Sequence, residues 1–382
     1  MPLRASPFLQ YIRRFPDPMP TIDISFIVPF YDVETTVAEC LESILTQDYP
    51  HFEVICIDDK SPDGSRAIVD LYAAQDKRVV VVEHAENKGL GPARNTGVAA
   101  ARGDYIMFLD SDDRLSFPGA LRRILEVAIE TGSEVVAGSA AALHEDGSLR
   151  PWDRMFEQKY RDEGRLVHDL PGAAAYSALI RVPGANHLPL RSWGYLFNRE
   201  YYLSLGILHP AGAHEDIGHN ALVAFAARNV HYCSDIIVDY RIRSGSISRS
   251  QWNAVRIDGY MGVWAHFRDN HAKIGLAGNT GNAALHVIRN WCWMVNRNGL
   301  AEGDEDYAVT RLAEVMGDVG PDSDPEMLGA VTAVLHKSLK KLGMPPETFS
   351  TIVDHLPTPS LILGAQYTIG LRRLAGKTPH LI

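Results

Sequence analysis

The sequence predicts an α/β fold: a mostly parallel, Rossmann-like sheet with helices on both faces, followed by a helical C-terminal domain. Three observations carry this. Four nearly continuous hydrophobic runs recur within the first 140 residues, helix-period segments separate them, and after Asn253 the texture changes to long helical patterns with few strand signals. Apolar runs without polar alternation are the signature of strands buried on both faces, and strands alternating with helices imply right-handed crossovers and a parallel sheet.

The elements follow in chain order. The first strand is "DISFIVPF" (23–30), and Val37, Leu41, Ile44 and Leu45 then recur at helical spacing. "FEVICIDD" (52–59) is the second strand, followed by the helical "SPDGSRAIVDLYAAQ". "RVVVVEH" (78–84) is the third, and "GPARNTGVAAA" follows it with Pro92 suited to a first helical turn. "DYIMFLD" (104–110) is the fourth. An amphipathic helix from Pro118 to Gly132 leads to a strand in "SEVVAGSA" and to "HEDGSL", which reads as a hairpin turn. Patterns such as "VRIDGYMGVWAHFRDNHA" and "NAALHVIRNWCWMVNRN" fill the C-terminal part, so a domain boundary is placed near 250.

Composition narrows the function. With 37 Lys+Arg against 47 Asp+Glu, a formal charge of −10 leaves no broad basic field for nucleic acid or an anionic membrane. Cys40, Cys56, Cys233 and Cys292 lack metal-ligand or redox-pair spacing, which fits a reducing, cytoplasmic setting. Five prolines and Arg4, Arg13 and Arg14 in the first twenty residues, without a continuous apolar stretch, describe an extended arm over 1–22.

Ligands of parallel sheets bind outside the carboxyl ends of the strands, and Pro29, Asp58, Asp59 and the run Asp110, Asp112, Asp113 all fall on that edge. Ionised carboxylates are costly to desolvate, and like charges this close raise one another's pKa. Two residues apart in a turn, Asp110 and Asp112 can direct oxygens toward one hard cation, Mg²⁺ or Mn²⁺, which would make the acidic edge a receptor for a diphosphate. A surface turn is the alternative for the motif alone. Asp63 and Ser65 have a capping reading, and Arg94 and Asn95 lie at a glycine-bearing helix entry that lacks the Walker and GxGxxG patterns.

In order, "ISFIVPFYDVETTVAECLESILTQDYPHFEVICIDDKSPDGS", "NKGLGPARNTGVAAARGDYIMFLDSDD" and "AHED" resemble the family-2 nucleotide-sugar glycosyltransferases, which have the GT-A fold. The resemblance covers 23–250, implies a catalytic domain there, and leaves 251–382 as the helical domain. It implies that Pro29 and Asp59 line the nucleobase pocket, that Arg94 faces the base, that Asp110 lies near the ribose and that Asp112 holds the metal on the donor diphosphate. Asp113 matches the motif without an assigned role.

On the acceptor side, the resemblance points to Asp216 as the catalytic base, with Glu215 beside it at the acceptor. Both would otherwise be read as helix N-terminal carboxylates favoured by the dipole. A zinc-protease reading of "HEDIGH" fails, because His214 and His219 are five apart instead of four. "RSWGYLFNREYYL" resembles the family's Trp-containing strand, making Trp193 an acceptor platform or a core residue, and Tyr195 stands where the family often has lysine. In "YRIRSGSISRS" an arginine, Arg243, would reach the diphosphate on loop closure, against the alternative of a solvated loop.

The expectation is a metal-dependent, inverting glycosyltransferase using a nucleotide sugar, a UDP-sugar first, on a glycan or lipid-linked acceptor in surface polysaccharide synthesis. A sugar-phosphate nucleotidyltransferase would want a glycine-rich loop after the first strand, where this chain has "VPFYDVET". A catalytically dead nucleotide-sugar scaffold is the other rival. Leu356 to Leu371 carries no charge over sixteen positions, short of the roughly 18–20 apolar residues that span a bilayer. It reads either as a helix docked on the C-terminal domain or as a peripheral contact with the inner face of the membrane.

Overall fold

β1 (Ile24–Phe30), β2 (Phe52–Asp58), β3 (Val79–Glu83) and β4 (Tyr105–Phe108) form the parallel part of the sheet in the computed structural model. The structure describes residues 22–151, 191–212, 214–242, 251–275, 280–320, 323 and 325–356. β1 is central, with Ile24 opposite Phe52 on one side and Tyr105 on the other. β1, β2 and β4 are buried throughout, as continuous apolar runs require. β3 departs from that expectation. Its "VVVV" run is half exposed because β3 is the edge strand, where one side of the ladder has no neighbour.

With β5 (Arg114–Leu115), β6 (Val135–Leu143), β8 (Tyr195–Asn198) and β9 (Val230–Arg241), the sheet runs β3-β2-β1-β4-β8-β6-β9-β5. β8 enters antiparallel between β4 and β6, and β9 runs parallel to β6. The short β5 pairs antiparallel with β9. β7 (Leu149–Pro151) closes the predicted hairpin on β6, with Gly147 at φ 78 in the turn.

Helices cover the sheet through their apolar stripes. α1 (Val37–Leu45) buries Val37, Cys40, Leu41 and Ile44, while Leu45 is only partly covered. α2 (Ser65–Gln75) follows β2, and α3 (Leu90–Ala100) lies against β1 and β2. That approach requires Gly97, where a Cβ would stand 2.3 Å from Ile27 Cγ2 and 2.9 Å from Ile57 Cδ1. α4 (Ala120–Thr131) buries Leu121, Ile124, Leu125 and Ala128, a spacing of three and four, and ends on Gly132 in the left-handed region. α5 (Arg199–Ser204) and α6 (Glu215–Ala226) precede β9.

Proline in the middle strand has a local explanation. Leu109 N–H donates to Ile27 O and Asp59 N–H to Phe30 O, so alternate residues of β1 face opposite neighbours. Pro29 faces the β4 side, where the ladder stops at Ile27 and Phe108, as a residue without an N–H requires.

The described residues divide into two compact units: 22–151, 191–211 and 219–242 in the first, and 212, 214–218 and those from 251 on in the second. The second is helical, with α7 (Ala254–Asn270), α8 (Thr280–Asn298), α9 (Glu305–Gly317), α10 (Pro325–Lys341) and α11 (Glu347–Val353). α8 packs on α10 and α9 on α11, around buried Tyr260, Trp264, Trp291, Met316 and Leu335. Among the described residues no helix is long and apolar enough to cross a membrane, and all four cysteines are free and buried. The expected arm and the tail 357–382 lie outside the described residues.

Candidate active site

The carboxyl ends of β1 and β2 are laced together by polar side chains. Asp32 N–H donates to Ser61 Oγ (2.9 Å), Val33 N–H to Ser65 Oγ (3.0 Å) and Glu34 N–H to Asp63 Oδ2 (2.9 Å). Asp63 and Ser65 therefore join two loops, and the N-cap position itself is Gly64. Burial alone would raise the Asp63 carboxyl, but hydrogen bonds from Ser65, Ser61 and the backbone hold it far below the usual range. Lys60, in the turn after β2, adopts φ 63.

Asp59 is buried, and its oxygens are engaged within the fold. Oδ1 accepts from Lys88 N–H (2.9 Å) and Oδ2 from Gly89 N–H (2.8 Å), while His84 Nδ1 lies 2.7 Å from Oδ1. His84 is fixed in turn by Thr96 Oγ1 at 2.9 Å. Asp59 thus organises the loop that leads into α3.

In the acidic turn after β4 the carbonyls of Asp110, Ser111 and Asp112 are each held by a donor. Asp113 N–H donates to Asp110 O (2.9 Å), Thr36 Oγ1 to Ser111 O (3.3 Å) and Arg241 Nε to Asp112 O (2.8 Å). Arg241 also donates its N–H to Asp113 Oδ1 (2.8 Å) and its guanidinium to Glu39. Glu39 receives Arg114 Nη1 at 2.5 Å on its other oxygen, and Arg114 Nε reaches Asp239 at 2.9 Å. Burial pushes the Glu39 carboxyl up, but the two arginines outweigh it and hold the pKa below its ordinary value. Arg94, only 1% exposed, donates Nη2 to Asp110 Oδ1 at 2.7 Å. It lies beneath Asp110, because a buried guanidinium requires a carboxylate partner.

Three carboxylates of different standing result. Asp110 is tied to Arg94, Asp112 is half-buried, and Asp113 is 1% exposed with Oδ2 lacking any hydrogen-bond partner. Burial first, then the charges of Asp112 and Asp110, push the Asp113 carboxyl well above the usual carboxylate range. Three carboxylates gathered at one strand end, with oxygen donors close together, suit a hard divalent cation. No group of three or more His, Cys, Asp or Glu side chains converges as a metal cage among the described residues. One carboxylate with the remaining ligands from phosphate and water is the manner in which such ions bind nucleotides.

On α6, Glu215 and Asp216 occupy the first turn. Glu215 is buried and Asp216 half-buried, so Asp216 is the more accessible to an acceptor. His214, just before them, has φ 62. Trp193 is buried, stacked on Tyr240 at 4.9 Å with the Arg191 guanidinium 4.2 Å from its ring centre, the geometry of core packing. Arg243 lies outside the described residues. Sequence reasoning missed Glu39, Arg114 and the clamping role of Arg241. The arginines of "YRIRSGSISRS" and the likeness to the family drew attention to that segment.

The model of "Glycosyl transferase family 2" matches residues 25–186. The chain is 33% identical over 229 residues to EpsH of Bacillus subtilis, covering 60% of this chain and 63% of EpsH, which is less than two thirds of that relative's length. It is 35% identical over 242 residues to TuaG of the same organism, named for teichuronic acid biosynthesis, covering 61% of this chain and 84% of TuaG. The solved structure of S. aureus TarS 1-349 with UDP-GlcNAc superposes with a TM-score of 0.59 at 18% identity, over 91% of this chain and 92% of that one, a likeness of fold. The chain belongs to glycosyltransferase family 2.

Proposed function

We propose that this glycosyltransferase is metal-dependent and inverting, and moves a sugar from a nucleotide sugar, a UDP-sugar first, to a hydroxyl of a glycan or lipid-linked acceptor in surface polysaccharide synthesis. The observation that carries the reading is the acidic turn: the carbonyls of Asp110, Ser111 and Asp112 are held, Asp112 stays half-buried, and Asp113 Oδ2 has no hydrogen-bond partner. Preorganised groups that need not rearrange during the reaction stabilise developing charge most effectively.

In this reading Asp112 is the principal ligand of Mn²⁺ or Mg²⁺, which when bound would offset charge on the departing nucleoside diphosphate. Asp110, steadied by Arg94, serves the ribose, and Pro29 and the loop organised by Asp59 serve the nucleobase. Arg243 is the proposed diphosphate contact. Asp216 takes the acceptor's proton while Glu215 orients the acceptor, so one displacement suffices and no covalent intermediate forms. Peripheral membrane contact through 357–382 belongs to the same reading.

Thermal melting of the full chain against UDP-, GDP- and dTDP-sugars tests it, because a ligand that binds only the native state raises the melting temperature. UDP-GlcNAc, the nucleotide sugar in complex with TarS, is the first to try. The expected result is stabilisation by at least one nucleotide sugar in Mn²⁺ and its loss in EDTA. Equal stabilisation in both would remove the metal from the account.

A further inference from the structure

The first turn of α6 is held by the helical unit in an unusual way. His214 has φ 62, a left-handed conformation that a non-glycine residue adopts only at a cost. Strain of this kind persists where the surroundings over-determine it, and it clusters at functional positions. Here the surroundings are identifiable. The His214 ring lies parallel to Trp252, with centroids 5.3 Å apart, and Tyr260 meets it edge-on at 6.0 Å. The Arg256 guanidinium sits 4.5 Å from the Trp252 ring centre, and its Nη2 is 3.3 Å from His214 Nε2. Burial, then the charge of Arg256, lowers the His214 pKa to about 4. The imidazole is therefore neutral at working pH and accepts the guanidinium's hydrogen bond.

Trp252 is itself immobilised. It is completely buried, its backbone N–H donates to Gly299 O (3.0 Å), and its backbone carbonyl accepts from Ala301 N–H (2.7 Å). Asn253 Oδ1 caps α7 by accepting from Arg256 N–H at 3.0 Å. Two glycines flank the anchored histidine. A Cβ at Gly218 would lie 2.8 Å from Val263 Cγ1 and 2.9 Å from Val263 O, and one at Gly212 would lie 3.7 Å from Gly259 Cα. The segment thus packs closely on α7 at His214 and at Gly218, with Glu215 and Asp216 between the two.

We infer that the stacked Trp252, His214 and Arg256 are positioning residues that fix the direction of the Asp216 carboxylate. The inference rests on the proposal that Asp216 is the base. A general base must stay within hydrogen-bond reach of the proton it removes, and a displacement of about 1 Å can cost on the order of 10²-fold in rate.

The test compares His214→Gly, His214→Asn and Arg256→Lys in the full chain. Glycine accepts the left-handed backbone but removes the ring. Asparagine tolerates that backbone and keeps an acceptor for Arg256. Lysine keeps the charge of Arg256 but loses the planar stack. Nucleotide release is measured with the donor that the parent uses best among UDP-, GDP-, CDP- and dTDP-sugars, alongside each melting temperature. The expected result is a kcat loss on the order of 10²-fold for His214→Gly and Arg256→Lys with donor KM unchanged, and partial rescue by His214→Asn. Parent-level kcat in both losing variants overturns the inference, as does a loss that follows only the fraction unfolded. Undiminished turnover in Asp216→Asn removes the base on which the inference rests, and a parent releasing nucleotide from none of the donors overturns both.

Discussion

Replacing Asp216 with Asn lowers glycosyl transfer by on the order of 10² to 10⁴-fold, the contribution of a positioned general base, while donor and metal affinity stay at the parent level. The amide keeps the size of the side chain but cannot take a proton. Losing the favourable interaction of a first-turn carboxylate with the helix dipole costs about 0.3–1 kcal/mol, too little to unfold the chain. Steady-state kinetics with the best donor, together with calorimetric titration of UDP in Mn²⁺, separates the two effects. Turnover near the parent level would pass the role to Glu215 or another residue, although Glu215 is the more buried of the pair.

Asp112→Asn has a different outcome: metal-dependent nucleotide binding is abolished, and unfolding stays cooperative. The backbone of the turn does not depend on this carboxylate, because the Asp112 carbonyl is held by Arg241 Nε and the Ser111 carbonyl by Thr36. The substitution also removes one of the negative neighbours that push the Asp113 carboxyl upward, so the folded state loses a repulsion. Melting curves with UDP, in Mn²⁺ and in EDTA, show the effect directly. Parent-like stabilisation by UDP and Mn²⁺ in the variant would place the metal elsewhere.

Legibility followed the range of the interactions. β1, β2 and β4 could be read because a strand buried on both faces is continuously apolar, and α1 and α4 because their stripes recur at three and four residues. β3 looks equally apolar, yet its edge position depends on the order of strands, which local pattern does not encode. The two residues of β5 and six of α5 are too short for any period. The acidic turn was visible because its carboxylates are contiguous in sequence. Its clamp was not, since Glu39 lies 75 residues from Arg114 and 202 from Arg241. Arg94 could be recognised as a cation at a helix entry, but its burial beneath Asp110 is a tertiary fact. The anchoring of His214 by Trp252 and Arg256 likewise joins residues far apart in sequence.

The central claim is that the edge carrying Asp110, Asp112 and Asp113 uses a divalent cation to activate a nucleotide sugar. Its most direct test is nucleotide release by the full chain from a panel of nucleotide sugars, followed through addition of EDTA and then excess Mn²⁺. The account predicts release from at least one donor, arrest by the chelator and recovery with the metal. Release that continues undiminished in EDTA, or release from none of the donors, would contradict it.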